Sequence, residues 1–187
     1  TATQKILDKA KIRVPALEDY AWRLWDYWER HLDPDLSIDR SLKGAVKGKV
    51  VMITGGSSGI GEAAAIRIAE AGGKVLVVAR DEEKLAEVRK KITDAGGFVK
   101  TYSCDITEYA ANDKLAKDVL KEFGHVDVLI NNAGRSIRRS LALSYDRFHD
   151  FERTMQLNYF ACVRLTMNLL PSMTARKNGH VINVSSI

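Results

Sequence analysis

The sequence predicts a doubly wound α/β fold from Lys49 onward, a parallel sheet with helices on both faces. Two observations carry the prediction. Short β-rich apolar runs alternate with segments of helical spacing along residues 49–187, the order expected of βα units. The runs are also continuous in Val, Ile and Leu, the pattern of strands buried on both faces. The first run is KVVMIT (49–54), followed by a glycine turn and the helical stretch GEAAAIRIAEAG. The second is KVLVVA (74–79), followed by the charged helix DEEKLAEVRKKITDAG. FVKTYSC (98–104) alternates as a third strand, and NDKLAKDVLKEFG after it carries Leu115, Val119 and Phe123 at helical spacing. VDVLIN (126–131) and VINVSS (181–186) complete five strands, with a long helical region between them. A sheet of this kind places its ligand at the carboxyl ends of the strands.

The first 46 residues follow another pattern. PALEDYAWRLWDYWERHLDP (15–34) holds all three tryptophans, Trp22, Trp25 and Trp28. Leu17, Tyr20, Ala21, Leu24, Trp25, Trp28 and Leu32 recur at helical spacing opposite Asp, Glu and Arg, with Pro15 and Pro34 as start and stop signals. The mixed, partly acidic polar face favours a helix packed on its own domain or on a preceding one. A membrane-surface helix would carry Lys and Arg there. DPDLSIDRSLKGAVKGK then reads as a linker. The expected division is residues 1–46, an amphipathic helix and linker, and residues 47–187, a nucleotide-binding domain.

Composition narrows the function. At 187 residues, 45% hydrophobic and 28% charged, disorder is excluded as the general state. No apolar run reaches bilayer length and no secretory signal opens the chain, so no transmembrane segment is expected. Cys104 and Cys162 lie far apart in apolar or strand-like settings. They read as reduced core thiols, which fits a cytoplasmic protein, if one peripheral to a lipid surface, and argues against a metal site. A net charge of +5 with no basic stripe suits anionic ligands such as phosphates and does not suggest nucleic acid.

The turn after the first strand is TGGSSGIG: Thr54, Gly55, Gly56, Ser57, Ser58, Gly59, Ile60 and Gly61. Glycines at a strand's end let the backbone approach a pyrophosphate, whose charge then sits at the helix N-terminus. The strand before the turn and the helix after it supply the context such a motif requires. Together with NNAG at Asn131–Gly134, this turn resembles the short-chain dehydrogenase/reductase family. Asp105 follows the third strand, where the family contacts adenine with an Asp. Asn158 in MQLNYF matches its active-site Asn, and Ser186 in VINVSS its catalytic Ser. The resemblance implies a Rossmann-like, doubly wound sheet truncated after its fifth strand. It also implies a nicotinamide cofactor held by Thr54, Gly55, Ser57–Gly61, Asp105, Asn132, Ala133 and Gly134.

The cofactor is expected to be NADPH. NAD needs a carboxylate at the end of the second strand, but that strand ends at Ala79 and Arg80 follows. A guanidinium there can hold a 2′-phosphate bidentately. The other reading gives the ribose role to Asp81, although Asp81 suits the start of the next helix, with Glu82 and Glu83 in its first turn.

Directly after NNAG comes RSIRRSLALSYDRFHDFERTMQLNYFACVRL. It leaves the carboxyl end of the fourth strand, so Arg135, Arg138 and Arg139 are expected at the active-site mouth. They form either a solvated basic turn or an anion site. NNAGRSIRR, YDRFHDFERTMQLNYF and RKNGHVINVSSI resemble bacterial long-chain acyl-CoA reductases of the short-chain type. The resemblance implies an acyl-CoA substrate, a fatty aldehyde product, a possible preceding domain in the same polypeptide, and a homo-oligomer. Within the family, Ser and Tyr hydroxyls hold the substrate oxygen, Lys lowers the Tyr pKa, and Asn fixes a relay water. The Tyr-x-x-x-Lys pair should follow Ser186, and the sequence reaches only Ile187. These residues are therefore expected to be part of a longer protein, able to bind NADPH but inactive alone. The competing functions are a 3-oxoacyl thioester or ketone reductase and a non-catalytic nucleotide-binding module.

Overall fold

The computed structural model describes residues 2–11, 16–28, 39 and 41–185. The chain divides into two compact units, Thr1–Asp39 and Arg40–Ile187. The first contains α1 (Ala2–Lys9) and α2 (Leu17–Tyr27). The tryptophan helix therefore forms, with Trp25 and Trp28 rings 5.4 Å apart and the Arg23 guanidinium 5.3 Å from the Trp22 ring centroid. No residue of α2 is buried. Pro15, Leu32 and Pro34 lie outside the described residues.

The second unit opens with α3 (Leu42–Val46), where a linker was expected. Ser41 starts this short helix by accepting the Gly44 N–H on its hydroxyl, and Val46 is buried against the domain. β1 (Val50–Thr54), β2 (Lys74–Ala79), β3 (Phe98–Ser103), β4 (Val128–Asn131) and β5 (His180–Asn183) form one sheet. Its order is β3-β2-β1-β4-β5 and every pairing is parallel. Ile53 lies opposite Val77 on one side and Ile130 on the other. All five residues of central β1 are buried, whereas edge strand β3 alternates.

Because successive strand residues point to opposite faces, the sheet feeds two cores. Val51, Ile53, Val75 and Val77 pack with α4 (Gly59–Glu70) and α5 (Glu82–Asp94) through Ala65, Ile68, Leu85, Val88 and Ile92. Met52, Leu76 and Leu129 pack on the other face with Leu115 and Val119 of α6 (Tyr109–Phe123). The long helical region joins them there: α7 (Phe148–Met155), a widened π-helical segment (Gln156–Ala161), and α8 (Cys162–Ala175), which adds Leu165 and Leu169. The predicted strand boundaries hold within two or three residues. β5 ends at Asn183, although the Val184 N–H still donates to the Asn131 carbonyl at 2.9 Å. Among the described residues no helix is long and apolar enough to cross a membrane.

A strut ties the lower end of the sheet. Asp127, 6% exposed, accepts from the Val50 N–H at 2.9 Å and from Arg176 Nη2 at 2.9 Å, and lies 3.2 Å from His125 Nε2. It fixes the starts of β1 and β4, and the end of α8, before the chain enters β5. The opposite, carboxyl end of the strands is left for the site.

Candidate functional site

Strand order reverses between β1 and β4, so the crevice of a doubly wound sheet opens above these two strands. The residues after them brace each other. The Thr54 hydroxyl accepts the Asn132 and Ala133 N–H groups, both at 3.1 Å, and the Asn132 amide donates to the Thr54 and Gly55 carbonyls at 3.1 and 3.0 Å. Two glycines make this approach possible. Gly55 has φ +66°, and a Cβ on it would lie 2.8 Å from the Ala133 Cα. A Cβ on Gly61 would overlap the Asn132 amide and the Gly55 carbonyl. The turn thus seats the start of α4 on the β1–β4 crevice. No side chain caps α4, so its first N–H groups remain available to an anion.

In front of that helix end lies a cleft of about 700 Å³, lined by Thr54, Gly55, Ser57, Ser58, Arg80, Asp105, Ala133 and Gly134 among others. Arg80 and Asp105 face each other at 3.5 Å. Asp105 also accepts the Thr107 hydroxyl and N–H, at 2.6 and 3.0 Å. Burial alone would raise its carboxyl pKa; these donors and Arg80 outweigh it and hold the group below its usual range. Asp81 caps α5, accepting the Lys84 N–H at 3.1 Å, and its other oxygen lies 3.4 Å from Lys84 Nζ. The Lys84 N–H is the chief cause of its lowered pKa. The expected helix-starting role of Asp81 is what the structure shows.

A second, larger cleft of about 1110 Å³ opens over β4 and β5 and is lined by Ile60, Arg135, Arg138, Asn158 and Ser185. Asn158 sits in the π-helical segment, a feature that often marks functional sites. Its Oδ1 accepts the Arg135 N–H and its Nδ2 donates to the Arg135 carbonyl, both at 2.8 Å. That double bond fixes the backbone just past NNAG while leaving the amide one further N–H for a ligand or water. Ser186 lies outside the described residues. Arg139 is not free at the mouth: its Nη1 is 2.9 Å from Asp150, which also accepts Arg147 Nε at 2.9 Å and lies 3.3 Å from His149. Arg147, with His149 and Arg139 adding to it, keeps the Asp150 carboxyl below its usual range.

Burial raises the pKa of both thiols, Cys104 and Cys162, which are unpaired with each other. No group of three or more metal-ligating side chains occurs among the described residues. The sequence alone did not single out Lys84 and Leu157 in the first cleft, or Arg153 and Gln156 beside it. Helical periodicity gives Arg153 and Gln156 the appearance of ordinary surface positions. Only the packing of the π-helical segment against the β3–α6 loop, through Gln156 Nε2 donating to the Thr107 carbonyl at 3.0 Å, brings them to the site.

Residues 49–187 match the family model described as short chain dehydrogenase. The fatty acyl-CoA reductase of Acinetobacter baylyi is 59% identical over 142 residues, which cover 76% of this chain and 48% of the relative. A fatty acyl-CoA reductase of Mycobacterium tuberculosis is 46% identical over 157 residues, covering 83% and 53%. The chain thus spans about half the length of these relatives. Among solved structures, a metagenomic short-chain oxidoreductase in complex with NADP superposes with TM-score 0.72 at 35% identity, over 76% of this chain and 64% of that one. Fold, switch-point crevice and glycine turn agree with these matches: the chain belongs to the short-chain dehydrogenase family of nicotinamide-dependent oxidoreductases.

Proposed function

We propose that the protein of which these residues are a part or the whole reduces long-chain fatty acyl-CoA to fatty aldehyde with NADPH. The observation that carries the substrate is the 59% identity to a fatty acyl-CoA reductase across the domain that holds the site. The cofactor fit rests on the structure's own cradle. Gly55 and Gly61 occupy positions where a Cβ would collide, and the end of α4 lacks a side-chain cap. Ser57, Ser58 and the α4 N–H groups would hold the diphosphate, with Thr54, Gly59 and Ile60 shaping the turn. Asp105 would meet the adenine, and Asn132, Ala133 and Gly134 would line the path toward the nicotinamide. Arg80, on the rim of the cleft, would hold the 2′-phosphate, and Lys84 stands on the same wall. Asp81 is occupied as a helix cap, which supports NADPH over NADH.

Bound in this cleft, the cofactor would supply hydride to a carbonyl carbon. Ser186 would donate a hydrogen bond to the carbonyl oxygen as negative charge develops on it. Asn158 would hold a relay water through its remaining N–H, with its side chain kept in place by Arg135. Arg135 and Arg138 would stand at the entrance for an anionic substrate. Arg139, paired with Asp150, would instead hold the entrance loop in place. When the thioester C–S bond breaks, coenzyme A leaves as a free thiol, and this separates the candidate reactions. The test follows NADPH oxidation, aldehyde and free thiol together in the whole protein supplied with a long-chain acyl-CoA. One thiol per aldehyde supports the reading. NADPH oxidation on a 3-oxoacyl thioester or a ketone without thiol release would assign a different carbonyl reductase. Cofactor binding with no turnover on any of these would assign a nucleotide-binding module.

A further inference from the structure

Beside the cofactor cleft lies a third cavity of about 590 Å³ whose walls include Arg80, Arg135, Arg153, Thr107, Ser136 and Gln156. Three guanidinium groups line it and no carboxylate does. Arg135 and Arg153 have no ion-pair partner among the described residues, in contrast to nearby Arg139 and Arg147, which share Asp150. Arg80 is on the wall common to this cavity and the cofactor cleft, and its contact with Asp105 is a long one at 3.5 Å.

The backbone behind the cavity is anchored, and the exposed side chains of Arg80, Arg135 and Arg153 reach into it from there. The Arg135 backbone is clamped at both its N–H and its carbonyl by Asn158, each at 2.8 Å. Arg153 occupies the last turn of α7, and Gln156 directly after that helix is latched to the Thr107 carbonyl at 3.0 Å. Both cations therefore project from anchored backbone. Two guanidinium forks without a counter-charge, Arg135 and Arg153, suit a ligand with more than one negative charge and planar or tetrahedral oxygens, and phosphate meets that description. Two sources of phosphate are available, the cofactor and a phosphorylated acyl carrier. The cofactor cleft has its own helix end and its own cations, Arg80 and Lys84. Arg135, by contrast, lines both this cavity and the larger cleft that holds Asn158 and Ser185. A ligand with its phosphates on Arg153 and Arg135 is therefore next to the cleft in which the carbonyl would react.

We propose that Arg153 and Arg135 form a second phosphate site, next to the wall shared with the cofactor cleft, that takes the nucleotide end of the acyl carrier. The inference rests on the acyl-thioester reading above. Its test measures binding of coenzyme A, 3′-dephospho-coenzyme A and pantetheine to the whole protein by calorimetry, with NADPH and NADH titrated in parallel. Wild type should bind coenzyme A more tightly than pantetheine. Arg153→Ala should remove about tenfold of that difference, and Arg153→Glu more, as expected from loss and then reversal of a charge-assisted contact. The ratio of NADPH to NADH affinity should stay within about twofold in both variants, whereas Arg80→Ala should lower it. Unchanged coenzyme A binding in both Arg153 variants overturns the proposal. A fall in NADPH affinity in its place also overturns it, by assigning the cavity to the cofactor. The two readings fail separately. Acyl-CoA turnover with the same KM in wild type and Arg153→Glu removes the phosphate site and leaves the reductase. Coenzyme A binding that depends on Arg153, in a protein that releases no thiol, removes the reductase and leaves the site.

Discussion

Asp81 bears on the proposed preference for NADPH over NADH. A carboxylate near the end of the second strand of a dinucleotide-binding fold is ordinarily available to the ribose, and Asp81 has about the right distance in sequence from the glycine turn. Its oxygens are nevertheless directed to the Lys84 N–H and the Lys84 ammonium, the work of a helix cap. Two substitutions separate the roles. Asn is as good a cap as Asp, so Asp81→Asn should keep the thermal midpoint and leave NADH affinity within about twofold of wild type. Asp81→Ala should lower the midpoint, because the cap is lost. A drop of about tenfold in NADH affinity for Asp81→Asn, read by nucleotide fluorescence titration, would return Asp81 to the ribose. Gly61 makes the same kind of local argument through volume. A side chain there would displace either the Asn132 amide or the Gly55 carbonyl, so its smallness belongs to the crevice and not to the helix in whose first turn it lies.

Elements hold together here through a few buried polar ties, and the strut at Asp127 is the one with a pH signature. Burial would raise the Asp127 carboxyl pKa, yet the Val50 N–H, Arg176 and His125 together bring it below its ordinary value. A carboxylate whose pKa is depressed by folding stabilises the fold fully above its unfolded value of about 4 and loses that contribution as pH falls through the folded value. Asp127→Asn keeps an acceptor for Val50 and removes the charge that Arg176 faces, so it should cost about 2 kcal/mol at neutral pH. Wild type and variant should converge in thermal midpoint as pH is lowered from 7 toward 3. Parallel curves with a constant gap would show that the charge is not the source of the stability. The π-helical segment is the other element that decides geometry. Its extra width in the region of Asn158 and Gln156 brings both to the crevice, and no residue type in QLNYFA announces it.

At the scale of the molecule, the five parallel strands and the glycine turn between β1 and α4 were legible in the sequence because each rests on local chemistry. Unbroken Val and Ile runs such as KVLVVA become strands buried on both faces, and TGGSSGIG can sit only where a strand turns into a helix. Arg139, Arg153 and α3 were not legible, because each depends on a partner distant in sequence or on packing: Asp150 for Arg139, the latch of neighbouring Gln156 to Thr107 for Arg153, the Val46 core contact for α3. The net charge of +5 and the cations of the cofactor cleft have a collective consequence. A 2′-phosphate adds nearly two negative charges near neutral pH, and NADPH would enter a cleft walled by Arg80 and Lys84. Salt shortens the reach of such a field from about 10 Å at 0.1 M to about 3 Å at 1 M. NADPH affinity should therefore fall more steeply with sodium chloride than NADH affinity, so that the preference for NADPH narrows by several-fold between about 0.05 and 0.5 M. Parallel salt dependences for the two nucleotides would mean that the 2′-position lies outside the arginine field, and the assignment of Arg80 to the 2′-phosphate would fall with it.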